Sequence, residues 1–152
     1  MPDTSERDTS ERDTSDTRAI VERMVAETGF MALLGVEVVD AKPGDVTLAV
    51  DRRPQLTQFA GFFHAGAIAG LADHAAGGAA WSLQPEGRGV VTLNFQFDFL
   101  APAKGERLLA RARVLRAGGT IVVVRAEVFS QEAGAETLCA AATVTLRSVR
   151  LA

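Results

Sequence analysis

One cysteine, two histidines, one tryptophan and no tyrosine leave this chain of 152 residues short of the side chains that most often carry chemistry. Cys139 has no partner for an internal disulfide, and its place in an apolar run marks it as a buried thiol rather than a nucleophile. A single Cys and two His are too few soft ligands for a metal centre, so the expected chemistry uses neither metal nor cofactor. No apolar run approaches the roughly 18 residues of a membrane span, and the acidic, polar N-terminus is unlike a secretory signal. The expected setting is the cytoplasm, with no membrane partner.

Lysine is scarce as well: of 16 basic residues only Lys42 and Lys104 are lysines. The arginines either serve phosphate groups or reflect an arginine-rich codon usage. Charge is also unevenly placed. Residues 1–17 hold six acids against Arg7 and Arg12, a net of −4, whereas the other 14 basic and 13 acidic residues nearly cancel. A body so close to neutral has no nucleic-acid footprint.

What is abundant is apolar material, at 47% of residues, enough for one domain with a proper core. The N-terminus repeats Asp-Thr-Ser-Glu-Arg from Asp3 and from Asp8 and has no apolar residue to bury. It is expected to form a flexible acidic tail over residues 1–17, ahead of a folded domain over 18–152. Asp13, Ser15 or Asp16 is placed to cap a helix starting near Arg18. That helix carries Ile20, Met24, Val25, Phe30, Leu33 and Leu34 at helical spacing.

Val36 and Val38, then Val46, Leu48 and Val50, flank Lys42-Pro43-Gly44-Asp45 and predict a hairpin. A second helix follows over Ala65 to Trp81, and then four long runs alternate apolar and polar residues. The first of them sets Val91, Leu93, Phe95, Phe97 and Phe99 against Thr92, Asn94, Gln96 and Asp98. Period-2 patterning predicts an antiparallel sheet of about six strands with one covered face. The Ala/Gly-rich helix is its natural cover, which makes an α+β fold. Within that helix the only ionisable residues are Asp73 and His74. A carboxylate in a central helix is costly unless it is paired or functional.

The stretch Gln58, Gly61, His64-Ala65-Gly66, then Leu71-Ala72-Asp73, resembles the pattern of the hotdog-fold acyl-CoA thioesterases of the PaaI-like, phenylacetate-degradation branch. Phe99-Leu100-Ala101-Pro102-Ala103 followed by Gly105 is similar to that family's third-strand ending, and the resemblance covers roughly residues 30–149. It implies a curled sheet around a central helix, a homodimer or homotetramer, and acyl-CoA sites at the subunit interface. Asp73 would attack the thioester or activate water, while Gln58 and His64 orient the carbonyl or the water and the Ala65 and Gly66 amides polarise it. Gly61 and Phe63 fall beside these residues as substrate contacts, Phe63 being either acyl-pocket wall or core. His64 alternatively serves only the local backbone, and His74 has no counterpart in the pattern.

Elementary geometry agrees with a shared site. Helix-start amides, here Ala65, Gly66 and Ala67, are donors backed by the helix dipole and suit a developing oxyanion. Asp73 lies about 10 Å along the same axis, so two antiparallel helices would each complete the other's site. Two positions depart from the family pattern: Ala65 replaces a glycine, and Gly77 stands where many relatives carry a water-holding Ser or Thr. Thr92 and Asn94 are substitutes for that hydroxyl, or else face solvent. The expectation is hydrolysis of a medium-chain or aromatic acyl-CoA to free acid and CoA, the alternative a hotdog protein that binds acyl-CoA without catalysis. A hydratase is a more distant rival, since its motif places the catalytic pair differently.

Overall fold

The computed structural model describes Asp13–Leu151. Its elements are α1 (Thr14–Glu27), α2 (Gly29–Leu34), β1 (Glu37–Lys42), β2 (Asp45–Asp51), α3 (Ala65–Trp81), β3 (Arg88–Phe99), β4 (Arg107–Ala117), β5 (Ile121–Glu132) and β6 (Ala135–Arg150). All six strands form one antiparallel sheet in the order β1-β2-β4-β5-β6-β3. The sheet curls around α3 in the hotdog arrangement. Pro43 and Gly44 make the β1–β2 turn, where Gly44 has φ 72°.

The N-terminal helix differs from its expected outline. It begins four residues before Arg18, because Asp13 caps it by accepting a hydrogen bond from the Asp16 N–H at 2.8 Å. Residues 14–17, expected in the tail, form its first turn, and Thr17 is buried. Residues 1–12 lie outside the described residues. Val21 is the fully buried apolar side chain of this helix, beside the buried Thr17, whereas Ile20, Met24 and Val25 are half-buried. The helical period continues to Leu34, yet the chain breaks at Thr28, whose extended backbone separates α1 from α2. The Thr28 hydroxyl donates to the Met24 carbonyl at 2.7 Å, and Gly35, at φ 72°, ends α2.

α3 sits inside the curl because its buried side chains, Ile68 and Leu71 apart, are small. Ala72, Ala75, Ala76, Ala79 and Ala80 are fully buried against a core that includes Leu48, Leu108, Val124 and Val144. A Cβ placed on Gly78 would meet Val21 at 3.4 Å and Val46 at 3.6 Å, ordinary contact distances, so α1 and β2 leave room there for no more than a methyl group. Each large aliphatic side chain sealed in this way contributes about 1.5–3 kcal/mol. One face of α3 stays open: Ala69, Gly70, Asp73 and His74 are only half-buried.

β4, β5 and β6 alternate as the pattern predicts, with Leu108, Ala110, Ala112, Val122, Val124, Ala126, Val128, Ala140, Ala142, Val144 and Leu146 buried. Cys139 is buried too, and burial pushes its thiol up to about 11. β3 does not follow its pattern. A β-bulge at Leu93 shifts its register on β6, from Thr92 opposite Leu146 to Asn94 opposite Thr145. Thr92, Phe95, Phe97 and Phe99 therefore share the concave face, while Val91 and Asn94 point the other way. Nor is either face of this edge strand sealed: Leu93 and Phe99 are 55% and 53% exposed.

The β3–β4 connection contains the tightest backbone approach. A Cβ on Gly105 would lie 2.1 Å from the Gln131 carbonyl oxygen, and the Gly105 N–H already donates to the Ser130 hydroxyl at 2.8 Å. Gly105→Ala is expected to lower stability by about 1–3 kcal/mol, since the obstacle is backbone and cannot rotate away. The thermal midpoint should fall by several degrees; an unchanged midpoint would contradict this packing.

Candidate active site

The segment leading into α3 is held by its own backbone. Pro54–Leu56 form a 3-10 turn, and Gly61, at φ 81°, reverses the chain. The Gly61 N–H donates to the Gln58 carbonyl at 2.9 Å, and the Gln58 N–H to the Phe62 carbonyl at 2.8 Å. The Gln58 side-chain oxygen accepts the Ala60 N–H, leaving its NH2 group as a donor. Arg52 fastens the turn from outside by donating to the Gly61 carbonyl and, at 2.7 Å, to the Lys104 carbonyl. Phe63 is 3% exposed, a core residue with one edge on the adjoining cleft. Its N–H donates to the Ala103 carbonyl at 3.0 Å, and the His64 N–H donates to the Leu56 carbonyl at 2.8 Å.

His64 is the N-cap of α3, and this changes the expected donor set. Its Nδ1 accepts the Gly66 N–H at 2.9 Å, and its carbonyl accepts the Ala67 N–H at 3.0 Å. The Gly66 and Ala67 amides are thus occupied by the cap. Among the described residues only the Ala65 N–H of the three has no acceptor. An imidazole that accepts at Nδ1 carries its proton on Nε2 when neutral. Ala65 itself lies in helical backbone, so the alanine is compatible with the position.

Two clefts flank this first turn. One of about 410 Å³ is lined by Gln58, Phe62, Ala65, Ile68, Phe99 and Leu100, among others. The second, of about 540 Å³, is bounded by Phe30, Leu33, Leu56, His64 and Gly66.

Asp73 lies two turns further along, half-buried on the open face of α3 rather than sealed in the core. Its Oδ1 accepts the Thr92 hydroxyl at 2.8 Å, and Oδ2 stays uncommitted among the described residues. The bulge at Leu93 brings Thr92 to this side and turns Asn94 away, so the two expected substitutes for a hydroxyl are not equivalent. Gly77 is covered by α1: the nearest atom to a Cβ there would be the Met24 methyl at 3.8 Å. At about 1.5 Å per residue, Asp73 is about 12 Å down the axis from the Ala65 amide of its own chain.

The thioesterase superfamily model matches residues 60–137, from the Gly61 turn through β5. A candidate esterase of Halobacterium salinarum is 34% identical over 115 residues, spanning 72% of this chain and 76% of that one. The chain belongs to the thioesterase superfamily. It is a hotdog-fold, PaaI-like thioester hydrolase. A thioesterase family protein from Silicibacter pomeroyi superposes with a TM-score of 0.86 at 36% identity, covering 89% of this chain and 99% of that one. A mutant form of the phenylacetic acid degradation protein PaaI from Thermus thermophilus gives 0.70 at 29% identity, covering 82% and 100%.

Sequence patterns for this thioesterase passed over Arg52 and Arg53, and marked Phe30 only as an apolar position of the first helix. Arg52 fastens the Gly61 turn, and Arg53 donates to the Leu33 carbonyl and holds α2 beside α3. Both act on backbone carbonyls distant in the chain, so no local spacing marks them.

His74, adjacent to Asp73, is half-buried with its Nε2 sealed and without a partner among the described residues. Burial holds its pKa below the ordinary 6.5, against the opposing pull of the Asp73 carboxylate. The folded chain therefore favours the neutral ring, while the unfolded chain takes up a proton near 6.5. The stability contributed is complete above that value and is lost as pH falls through the lower folded value. His74→Asn should flatten the decline of the thermal midpoint on acidification below 6.5; identical slopes for both proteins would refute this role.

Proposed function

We propose that the chain hydrolyses acyl-CoA thioesters with a medium-chain or aromatic acyl group, in the cytoplasm, as a homodimer or a pair of homodimers. The observation that carries this reading is the free Ala65 N–H, at a helix start and in a cleft with Gln58 and apolar walls. A thioester carbonyl accepting that N–H has its developing negative charge met by a fixed donor and by the helix dipole. Gln58, with its NH2 uncommitted, is a second donor to the carbonyl or to water. His64 acts as a positioning residue, since its ring is engaged in fixing the first turn.

The carboxylate comes from the partner. An unpaired edge strand with apolar side chains on both faces is unfavourable in water and favours pairing with a second copy. Pairing β3 with the partner's β3 lays the open faces of two α3 helices side by side and antiparallel. Each Asp73 then faces the other chain's Ala65. Thr92 holds Oδ1, and Oδ2 either bonds to the acyl carbon, expelling the CoA thiolate to leave an anhydride that water cleaves, or takes a proton from the water that attacks that carbon. Both routes end in free acid and CoA thiol. Only the first leaves an acyl group on Asp73, which rapid quenching and peptide mass spectrometry would detect.

A screen of acyl-CoAs with thiol release as readout tests the activity, and Asp73→Asn should reduce turnover about a hundredfold or more. Wild-type turnover in that variant would remove Asp73 from the mechanism. Ala65→Pro deletes the free N–H at a helix position that tolerates proline, after a residue already in extended backbone at φ −68°, ψ 141°. It should fold and lose about 10²–10³ in turnover.

Neither variant is active alone, yet a mixed dimer of the two contains one site with an intact amide and an intact carboxylate. Exchange of the two homodimers is expected to restore up to about half the activity per mixed dimer. Verified heterodimers that stay inactive would exclude a site shared between chains.

A further inference from the structure

The two clefts beside the first turn of α3 differ in what surrounds them. At the rim of the Gln58 cleft stand Arg52, bonded to the Lys104 carbonyl at 2.7 Å, and the Lys104 ammonium, 5.5 Å from the Phe62 ring centre. Arg18, Arg107, Arg111, Arg113 and Arg125 are ion-paired, whereas among the described residues Arg52, Lys104 and, on the other side, Arg53 have no acidic partner, so two of the three unpaired cations that border the clefts stand at the Gln58 rim. On the other side lie Phe30, Leu33, Leu34 and Leu56, with Phe30 51% and Leu33 70% exposed. Arg53, also on that side, donates to the Leu33 carbonyl and fixes the wall.

A thioester held at Ala65 extends two arms from one carbon, an anionic CoA arm and an acyl arm. We infer that the CoA arm leaves over the Arg52 and Lys104 rim, that the acyl arm enters the cleft between α2 and α3, and that Phe30 sets its length. This rests on the acyl-CoA reading above. Phe30 closes the cleft from a seat made for it. A Cβ on Gly70 would lie 2.8 Å from Phe30 Cε1 and 3.4 Å from Cζ, so the ring reaches the helix backbone only because residue 70 is glycine. Leu34 Cδ1, 3.7 Å from the same point, borders the ring. An acyl chain that ends at this ring gains burial with each methylene up to it and none beyond.

The test measures kcat/KM for straight-chain acyl-CoAs from acetyl to palmitoyl on the full-length wild type, Phe30→Ala, Phe30→Leu and Leu100→Trp. Removing the ring should move the optimum to longer chains, with kcat/KM rising about fourfold for each added methylene that becomes buried, the equivalent of about 0.8 kcal/mol. Phe30→Leu should move it less, and its mild change in size keeps the test valid if the alanine variant does not fold. Leu100→Trp, in the other cleft, should raise KM for every chain length alike and leave the optimum in place.

An unmoved optimum in folded Phe30 variants, or an optimum moved by Leu100→Trp instead, overturns the assignment. If the wild type turns over no acyl-CoA, the acyl-CoA reading fails on its own. The cleft is then read by calorimetry with S-alkyl-CoA thioethers of the same lengths. Tighter binding of longer chains to Phe30→Ala supports the assignment, and an unchanged length dependence overturns it.

Discussion

The close approach of α3 to its surroundings, made possible by residues with almost no side chain, is the constraint on which everything else rests. A helix with bulky buried faces would hold the sheet away, and the curl could not close. With Ala72, Ala75, Ala76 and Ala79 fully buried and space for no more than a methyl between Gly78 and Val21 or Val46, the helix packs closely on both α1 and the sheet. The same economy of size recurs at Gly70, where an aromatic ring rests on the bare helix. Small residues therefore do two jobs here, permitting the fold and shaping the cleft beside the first turn of α3.

Against that frame the site is arranged by the order in which donors are used. The His64 cap occupies Gly66 and Ala67 and leaves Ala65 open, so the arrangement that secures the helix also selects which of these three amides stays without an acceptor among the described residues. Asp73 is secured differently, by a hydroxyl from β3 that fixes one oxygen and leaves the other. The distance along α3 separates these two halves by more than a hydrogen bond spans. An edge strand with exposed apolar side chains and a half-exposed helix face carrying the carboxylate lie on the same side, and in the proposed dimer a second copy would close both at once.

Where expectation and structure part, a single physical cause can be named each time. One residue of bulge at Leu93 inverts the facing of half of β3, because side chains alternate with a period of two. Thr92 and Asn94, alike in polarity and two apart in sequence, end on opposite faces. The break at Thr28 divides what helical spacing alone would join, and Asp13 starts α1 earlier than the apolar pattern suggests. Gly66 loses its expected role because the ring of its neighbour two residues back reaches its amide first.

The chain's own pattern determined the strands over β4 to β6, the Pro43–Gly44 turn, the central helix with its single carboxylate, and the motif from Gln58 to Asp73 by which the family is legible. These are local properties, set by periodicity, turn chemistry and neighbours within a few positions. Only the tertiary structure decided which amide stays open, which hydroxyl meets Asp73, how Arg52 and Arg53 brace the loop and α2, and that Phe30 seats on Gly70. The open amide follows from the rotamer of His64 two residues away, which a sequence pattern does not fix, and the others depend on strand register or on contact between residues more distant along the chain. Side-chain identity sets what a residue is able to do, whereas its partner is set by how the whole chain packs.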